Sequence, residues 1–189
     1  MIYLASGSPR RAELLVQIGV TFLVLTPDID ESERALEFAQ AYVARMAREK
    51  AQEGVVLYRR QGWAQAPVLA ADTIVVCDGV ILHKPDTPEQ AYRALRRLSG
   101  RTHTVHTALC LVGQSTQEVL SSSVVTFKTL TDAEIESYCA TGEPLGKAGA
   151  YAIQGRGALF VSHMAGSYSG IMGLPLYECG RLLKAEGIV

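Results

Sequence analysis

The 189-residue chain has little net charge, no closely spaced cysteines and no long apolar run, and each shortage removes a class of function. A net charge of −1 gives no global basic field to recruit nucleic acid or an acidic membrane, so a bound anion must be held by local clusters. No apolar run approaches the roughly 20 residues needed to span a bilayer. The opening segment Met1-Ile2-Tyr3-Leu4-Ala5-Ser6 has no basic region before its short apolar stretch. It does not read as a secretory signal, and the expected compartment is the cytoplasm. Cys77, Cys110, Cys139 and Cys179 are scattered, without a CxxC pair. Zinc ligation is disfavoured, a disulfide framework lacks a secretory context, and buried apolar thiols are expected. His103 and His106 lie three apart in a strand-like segment and would point to opposite faces.

What is present is core. With 48% hydrophobic and 20% charged residues, the chain can bury one sizeable core but is too short for two large domains. Ile2–Ala5 reads as a strand, Ser6-Gly7-Ser8 as a turn, and 9–18 as a helix with Ser8 as N-cap and Pro9 in its first position. A strand over 21–25 leads into the acidic segment 28–33. A helix follows from about Leu36 to Gln52, with Phe38, Tyr42, Val43, Met46 and Ala47 on one face. After a polar loop over 59–67 comes a strand over 68–76, then the Asp78-Gly79 hairpin signal, pairing 74–76 with 80–82. Thr87-Pro88-Glu89-Gln90 and Thr131-Asp132-Ala133-Glu134 read as capping boxes opening two further helices. Between those helices, strands are expected over 102–112 and 119–129. A Gly-rich stretch, 146–173, precedes a closing helix after Pro175. Within it Ala148-Gly149-Ala150-Tyr151 and Ala165-Gly166-Ser167-Tyr168 echo each other, as two arms of one hairpin would. The expectation is one α/β domain with a mixed, twisted sheet, since the long hairpin excludes an all-parallel one.

Asp72 is the most informative residue. It is the one carboxylate in the apolar run Val68-Leu69-Ala70-Ala71-Asp72-Thr73-Ile74-Val75-Val76. Left unpaired in a buried strand it would cost several kcal/mol or be neutralised, so a metal, a basic partner or a reaction is expected to use it. The alternative is an Asp at an exposed strand end, bonding its own backbone. Arg10 and Arg11 fall in the first turn of the first helix, against the macrodipole, where with the free N–H groups they make an anion site or merely solubilise the helix. The glycine turn beside them is neither a Walker A sequence nor GxGxxG. The cluster Asp28, Asp30, Glu31 and Glu33 is either a solvated loop or a source of one or two Mg²⁺ or Mn²⁺ ligands, and position alone does not separate Glu31 from Asp30. Lys50, late in the second expected helix, suits the dipole there. Lys84, beyond the hairpin, is a candidate phosphate contact. Lys147 and Gln154 lie where a Gly-rich backbone can approach a ligand, and Gln154 offers both a carbonyl and an amide to a base edge.

Together these segments resemble the Maf family of nucleoside triphosphate pyrophosphatases. The matching stretches are Leu4-Ala5-Ser6-Gly7-Ser8-Pro9-Arg10-Arg11-x-Glu13-Leu14-Leu15, Glu31, and Tyr42-Val43-x-Arg45-x-Ala47-x-x-Lys50-Ala51. Then come Ala71-Asp72-Thr73-x-Val75, Lys84-Pro85, and Leu98-Ser99-Gly100-x-x-His103-x-Val105-x-Thr107. Gly142-Glu143-Pro144, Lys147-Ala148-Gly149-x-Tyr151-x-Ile153-Gln154-Gly155, Gly166-Ser167-Tyr168 and Gly173-Leu174-Pro175 complete the series. The likeness runs through essentially the whole chain, as one domain over 1–189. It implies an elongated mixed sheet with two lobes and a central cleft, and hydrolysis between the α and β phosphates. It also implies a divalent metal, Mg or Mn, and frequently a homodimer. By matching position, Asp72 is the general base and, with Glu31, the acidic metal-holding pair. Arg11, Thr73 and Gln154 fall on positions tied to substrate choice. Arg10, Lys50, Lys84 and Lys147 fall on basic ones.

Gln154 resembles the dTTP/UTP branch, with 7-methyl-GTP or a purine triphosphate as the alternative substrate. A non-catalytic nucleotide-binding regulator of cell division is the alternative from another class. The near-neutral charge opposes broad nucleic-acid affinity, which needs many Lys and Arg. One departure stands out: the family pattern usually has Asp before the Lys of Lys-Ala-Gly, and this chain has Gly146.

Overall fold

Parallel pairing begins the fold, because each early strand is followed by a helix long enough to return the chain to the same end. The computed structural model describes the whole chain, residues 1–189. Strand β1 (Ile2–Ala5), buried at all four positions, leads into α1 (Pro9–Gln17) and then β2 (Phe22–Leu25), which pairs parallel with β1. Helix α2 (Ala39–Arg60) precedes β3 (Val68–Cys77), parallel to β1 on its other side through Tyr3↔Val68 and Leu4↔Leu69.

Strand β4 (Val80–Leu82) pairs antiparallel with β3, and α3 (Pro88–Leu98) follows. Then come β5 (Thr102–Val112), β6 (Thr116–Phe127), α4 (Asp132–Cys139) and β7 (Val161–Ala165), the last antiparallel to β6. Helices α5 (Tyr168–Met172) and α6 (Leu176–Ala185) close the chain. The seven strands form one mixed sheet in the order β2-β1-β3-β5-β6-β7, with β4 attached to β3. No helix is long and apolar enough to cross a membrane.

Two compact units are built from discontinuous segments. The first comprises 1–72, 107–121 and 173–189, and the second 73–106 and 122–172. In the first unit, α2 and the sheet bury Leu4, Leu15, Val43, Met46 and Leu69, while Tyr3 stacks on Tyr58 with centroids 5.0 Å apart. In the second, Phe127, Tyr151, Phe160, Leu95, Leu98 and Ile135 form one cluster, with His103 edge-on to Phe127 at 5.0 Å.

Several sequence expectations need correction. Helix α2 runs to Arg60 instead of stopping near Gln52, so the expected polar loop begins later. Gly54, inside it, is a packing residue: a Cβ there would stand 2.8 Å from the Ala5 Cβ and the Val68 Cγ1, so its absence lets helix meet sheet. The helix also starts three residues late, leaving Leu36 and Phe38 at 99% and 83% exposure, and Phe38 is not on the buried face. The hairpin is one residue out of the expected register, with Val75, Val76 and Cys77 opposite Leu82, Ile81 and Val80. Asp78 and Gly79 at φ 50° and 74° supply its turn. Gln90 accepts from the Asp86 N–H, not from its N-cap, so only the box at Thr131 is reciprocal. The two Gly-rich echoes are not hairpin arms: 148–150 is a short 3₁₀ turn, whereas 165–168 links β7 to α5. Both β7 and α5 lay hidden in that stretch. Cys77, Cys110 and Cys179 are buried free thiols, as expected, and Cys139 is half-buried.

Candidate active site

The carboxylate of Asp72 is buried, and its partner is Lys50. The ammonium donates to Asp72 Oδ1 at 2.7 Å and lies 2.7 Å from Glu31 Oε1, so one cation stands between two carboxylates. The Lys50 and Asp72 side chains are 8% and 6% exposed, whereas that of Glu31 is 49% exposed. Lys50 is therefore not the dipole-facing residue of a last helical turn, since α2 continues to Arg60. It is the basic partner that a carboxylate in an apolar strand requires.

The acidic segment is held in place by α2. Tyr42 Oη donates to the Glu31 carbonyl at 2.8 Å, and Arg45 Nη2 donates to the Ser32 carbonyl at 2.9 Å. Arg45 also forks onto Glu37 at 2.7 and 2.6 Å. That fork holds the Glu37 carboxyl down to about 2 and raises the Arg45 guanidinium. Burial first, and then the charges of Asp72 and Glu31, push the Tyr42 hydroxyl up to about 12. Asp30 accepts from the Ser32 N–H at 2.9 Å within its own turn, whereas Glu31 reaches Lys50. Tyr42 and Arg45 carry no functional expectation from the sequence. The available signal was an arginine on an otherwise apolar helix face.

Arg11 is buried, with Nε donating to the Gly173 carbonyl at 2.8 Å and Nη1 to Ser6 Oγ at 2.9 Å. Desolvation lowers its pKa from the ordinary arginine value, opposed by the attraction of Asp72 and Glu31. Its charge thus lies within electrostatic reach of both carboxylates. Arg10, half-buried, lies in the same turn. The first unit brings Arg11, Glu31, Lys50 and Asp72 together, with Arg10 beside Arg11 in the first turn of α1.

The second unit holds Thr73, Lys84, Lys147 and Gln154. Thr73 directly follows Asp72 on β3 and is half-buried. The Gly146 N–H donates to the Pro85 carbonyl at 3.0 Å, so the segments bearing Lys84 and Lys147 lie side by side. The Lys147 ammonium donates to the Glu143 carbonyl. Gln154 is exposed at the tip of a turn closed by the Gly155 N–H on the Ala152 carbonyl at 3.1 Å. Neither histidine joins a candidate site. His103 Nε2 meets Tyr151 Oη at 3.0 Å, and His106 Nδ1 meets Ser122 Oγ at 2.8 Å.

Asp72 and Glu31 present hard oxygens, the donor chemistry Mg²⁺ and Mn²⁺ prefer, but the point they share is taken by the Lys50 ammonium. No group of three or more acidic, histidine or cysteine side chains is gathered to hold a metal ion, so two carboxylates are the most this site offers one.

A family model described as Maf-like protein matches residues 1–186. The chain belongs to the Maf-like family. This Maf-like chain is 50% identical over 188 residues to the nucleoside triphosphate pyrophosphatase of Haemophilus ducreyi, covering 99% of the chain and 95% of that protein. It is 54% identical over 184 residues to the dTTP/UTP pyrophosphatase of Salmonella typhimurium, with coverages of 97% and 91%. The dTTP/UTP pyrophosphatase of Bordetella parapertussis is 50% identical over 192 residues, with coverages of 99% and 93%. In fold alone, the Maf-like chain resembles the Ham1 protein of Staphylococcus aureus, with a TM-score of 0.52, 12% identity and 98% coverage of each chain.

Proposed function

We propose that this chain hydrolyses nucleoside triphosphates at the α–β phosphoanhydride, releasing a nucleoside monophosphate and pyrophosphate, with dTTP and UTP preferred. Relatives about 50% identical over nearly the whole chain support the reaction. The observation that carries the site is a carboxylate buried in a strand against a lysine that also meets a second carboxylate.

In this reading Asp72 orients a water and takes its proton as the oxygen attacks the α-phosphorus. The bond from that phosphorus to the bridging oxygen breaks, and pyrophosphate carries away the electron pair. Lys50 fixes the carboxylate and offsets its charge, so the base is held in one pose before substrate arrives. Arg10, Arg11, Lys84 and Lys147 serve the triphosphate, whose charge must be matched locally in a chain of net charge −1. Glu31 and Asp72 would hold a divalent cation, sharing their oxygens with the Lys50 ammonium or displacing it, and the ion would neutralise charge on the phosphate oxygens. Gln154 can answer the N3–H and O4 of uracil or thymine, with Thr73 as a further selectivity position. The expected setting is the cytoplasm and the expected assembly a homodimer.

A nucleotide panel tests this reading. dTTP, UTP, CTP, GTP, ATP and 7-methyl-GTP are supplied with Mg²⁺ or Mn²⁺ to the parent and to Asp72→Asn, and both products are quantified. Monophosphate and pyrophosphate from dTTP and UTP, absent with chelator and in the folded Asp72→Asn variant, are expected. Near-normal turnover by that variant refutes Asp72 as the base, and turnover confined to 7-methyl-GTP refutes the pyrimidine preference.

A further inference from the structure

The carboxylate of Glu143 fastens both ends of the segment that carries Gln154. Its Oε1 accepts from Tyr138 Oη at 2.7 Å and from the Gly157 N–H at 3.1 Å, and its Oε2 accepts from the Arg156 N–H at 3.1 Å. Tyr138 Oη in turn accepts from the Ala152 N–H at 3.1 Å. Ala152 on one side of Gln154, and Arg156 and Gly157 on the other, are thus tied to one anionic group. Burial on its own would raise the Glu143 carboxyl, but these donors and the Lys147 charge outweigh it and hold the group below the usual carboxylate range.

The local sequence is shaped around this clamp. A Cβ on Gly155 would stand 2.5 to 2.6 Å from the Glu143 carboxylate atoms. One on Gly157 would stand 2.7 Å from the Ala152 carbonyl oxygen and 2.9 Å from Tyr138 Oη. Any side chain at either position would displace the clamp. Gln154-Gly155-Arg156-Gly157 therefore spaces its glycines where carboxylate and hydroxyl enter. The Glu143 backbone is engaged as well, its carbonyl accepting from the Lys147 ammonium and its N–H donating to Thr141 Oγ1 at 3.1 Å. One residue consequently ties a basic position to the turn that presents Gln154.

We infer that Glu143, acting with Tyr138, is a positioning residue for base selection: it sets where the Gln154 amide is presented and so the preference for uracil and thymine over cytosine. The inference rests on the reading of Gln154 as the base-contacting side chain. A Gln amide can turn either its oxygen or its nitrogen toward a base edge, so the residue type alone discriminates poorly. Discrimination requires the backbone that carries the amide to be fixed, which charge-assisted hydrogen bonds to three backbone N–H groups, one relayed through Tyr138, accomplish. Loosening the turn removes binding shared by ground and transition states. The expected effect is a higher KM for UTP at a nearly unchanged kcat.

The test uses Glu143→Gln, Tyr138→Phe and Gln154→Ala in the full chain. Tyr138→Phe keeps the ring packed on Phe160, 5.0 Å between centroids, and so reports on the clamp even where Glu143→Gln folds poorly. Two readouts are combined: amide hydrogen exchange over 152–157, and kcat and KM for UTP and CTP. Faster exchange in both clamp variants, with the UTP-to-CTP ratio of kcat/KM falling about tenfold through KM, supports the inference. Unchanged exchange overturns the clamp whatever the activity. Faster exchange with an unchanged ratio overturns its part in base selection. Should Gln154→Ala itself leave the ratio unchanged, the base-contact reading fails, and with it the selectivity role, while the exchange data still judge the clamp.

Discussion

Replacing Lys50 with Met removes the cation from between Asp72 and Glu31 and leaves a carboxylate whose side chain is 6% exposed without its hydrogen-bonded cation. At 2.7 Å, and an effective dielectric constant of about 20, the gross attraction between the Lys50 and Asp72 charges is of order 6 kcal/mol. Desolvation of both groups cancels much of it in the intact pair. Removal of one partner alone then exposes the penalty of the other, about 3–5 kcal/mol for a buried pair. The guanidinium of Arg11 attracts the same carboxylate and places the expectation near the lower end, about 3 kcal/mol. Glu31 adds less than about 1 kcal/mol, its side chain being half exposed. For a chain of this length the loss corresponds to a fall of roughly 6–12 °C in Tm.

Urea unfolding of the parent, Lys50→Met, Asp72→Asn and the double variant measures the pair directly. In the double variant both members of the buried pair are gone, so it should recover to within about 1 kcal/mol of Asp72→Asn, giving a coupling of about 2 kcal/mol or more. A Lys50→Met variant within about 0.5 kcal/mol of the parent, or strictly additive single effects, would refute the buried pair as the feature that keeps Asp72 in the strand.

Two other predictions concern the second unit. Burial lowers the His103 pKa from 6.5 to about 4, and its Nδ1 has no partner. The unfolded chain takes up the proton first, so the stability from neutral His103 is fully present above pH 6.5 and is lost as pH falls toward 4. Between pH 7 and 5 the loss is about 2 kcal/mol. His103→Phe should flatten that slope in urea titrations at the two pH values, and an unchanged slope would refute the assignment. His106 is lowered by burial too and contributes with the same sign, so the variant retains a residual slope. Separately, Gly149→Ala combines a left-handed φ of 67° with a Cβ 2.8 to 2.9 Å from the Val75 side chain, and should cost about 2–4 kcal/mol. Gly146 shares that φ but faces open space, so Gly146→Ala should cost only about 1 kcal/mol. Equal losses in guanidinium unfolding would show that Val75 yields to the added methyl.

The element types were largely legible because their signals are local. Pro9 at a helix start, Thr131 three residues before Glu134, and Asp78-Gly79 between apolar runs each encode a conformation within a few residues. The boundaries that failed depended on distant packing. Gly54 resembles a helix stop until the sheet lies 2.8 Å from where its side chain would be. The short β7 and α5 were obscured by glycines whose roles are set elsewhere in the fold.

The candidate site divides along the same line. Sequence alone determined that Asp72 is the one carboxylate in an apolar run and would need a partner if that run were buried, because burying charge is costly wherever the chain leads. Tertiary structure decided that the partner is Lys50, 22 residues away, and that Tyr42 and Arg45 anchor the segment bearing Glu31. It likewise decided that Glu143 grips the turn bearing Gln154. Residue patterns carry a local conformation and the demand for compensation, whereas which groups meet is fixed only when helices and strands pack and distant side chains come within hydrogen-bond reach.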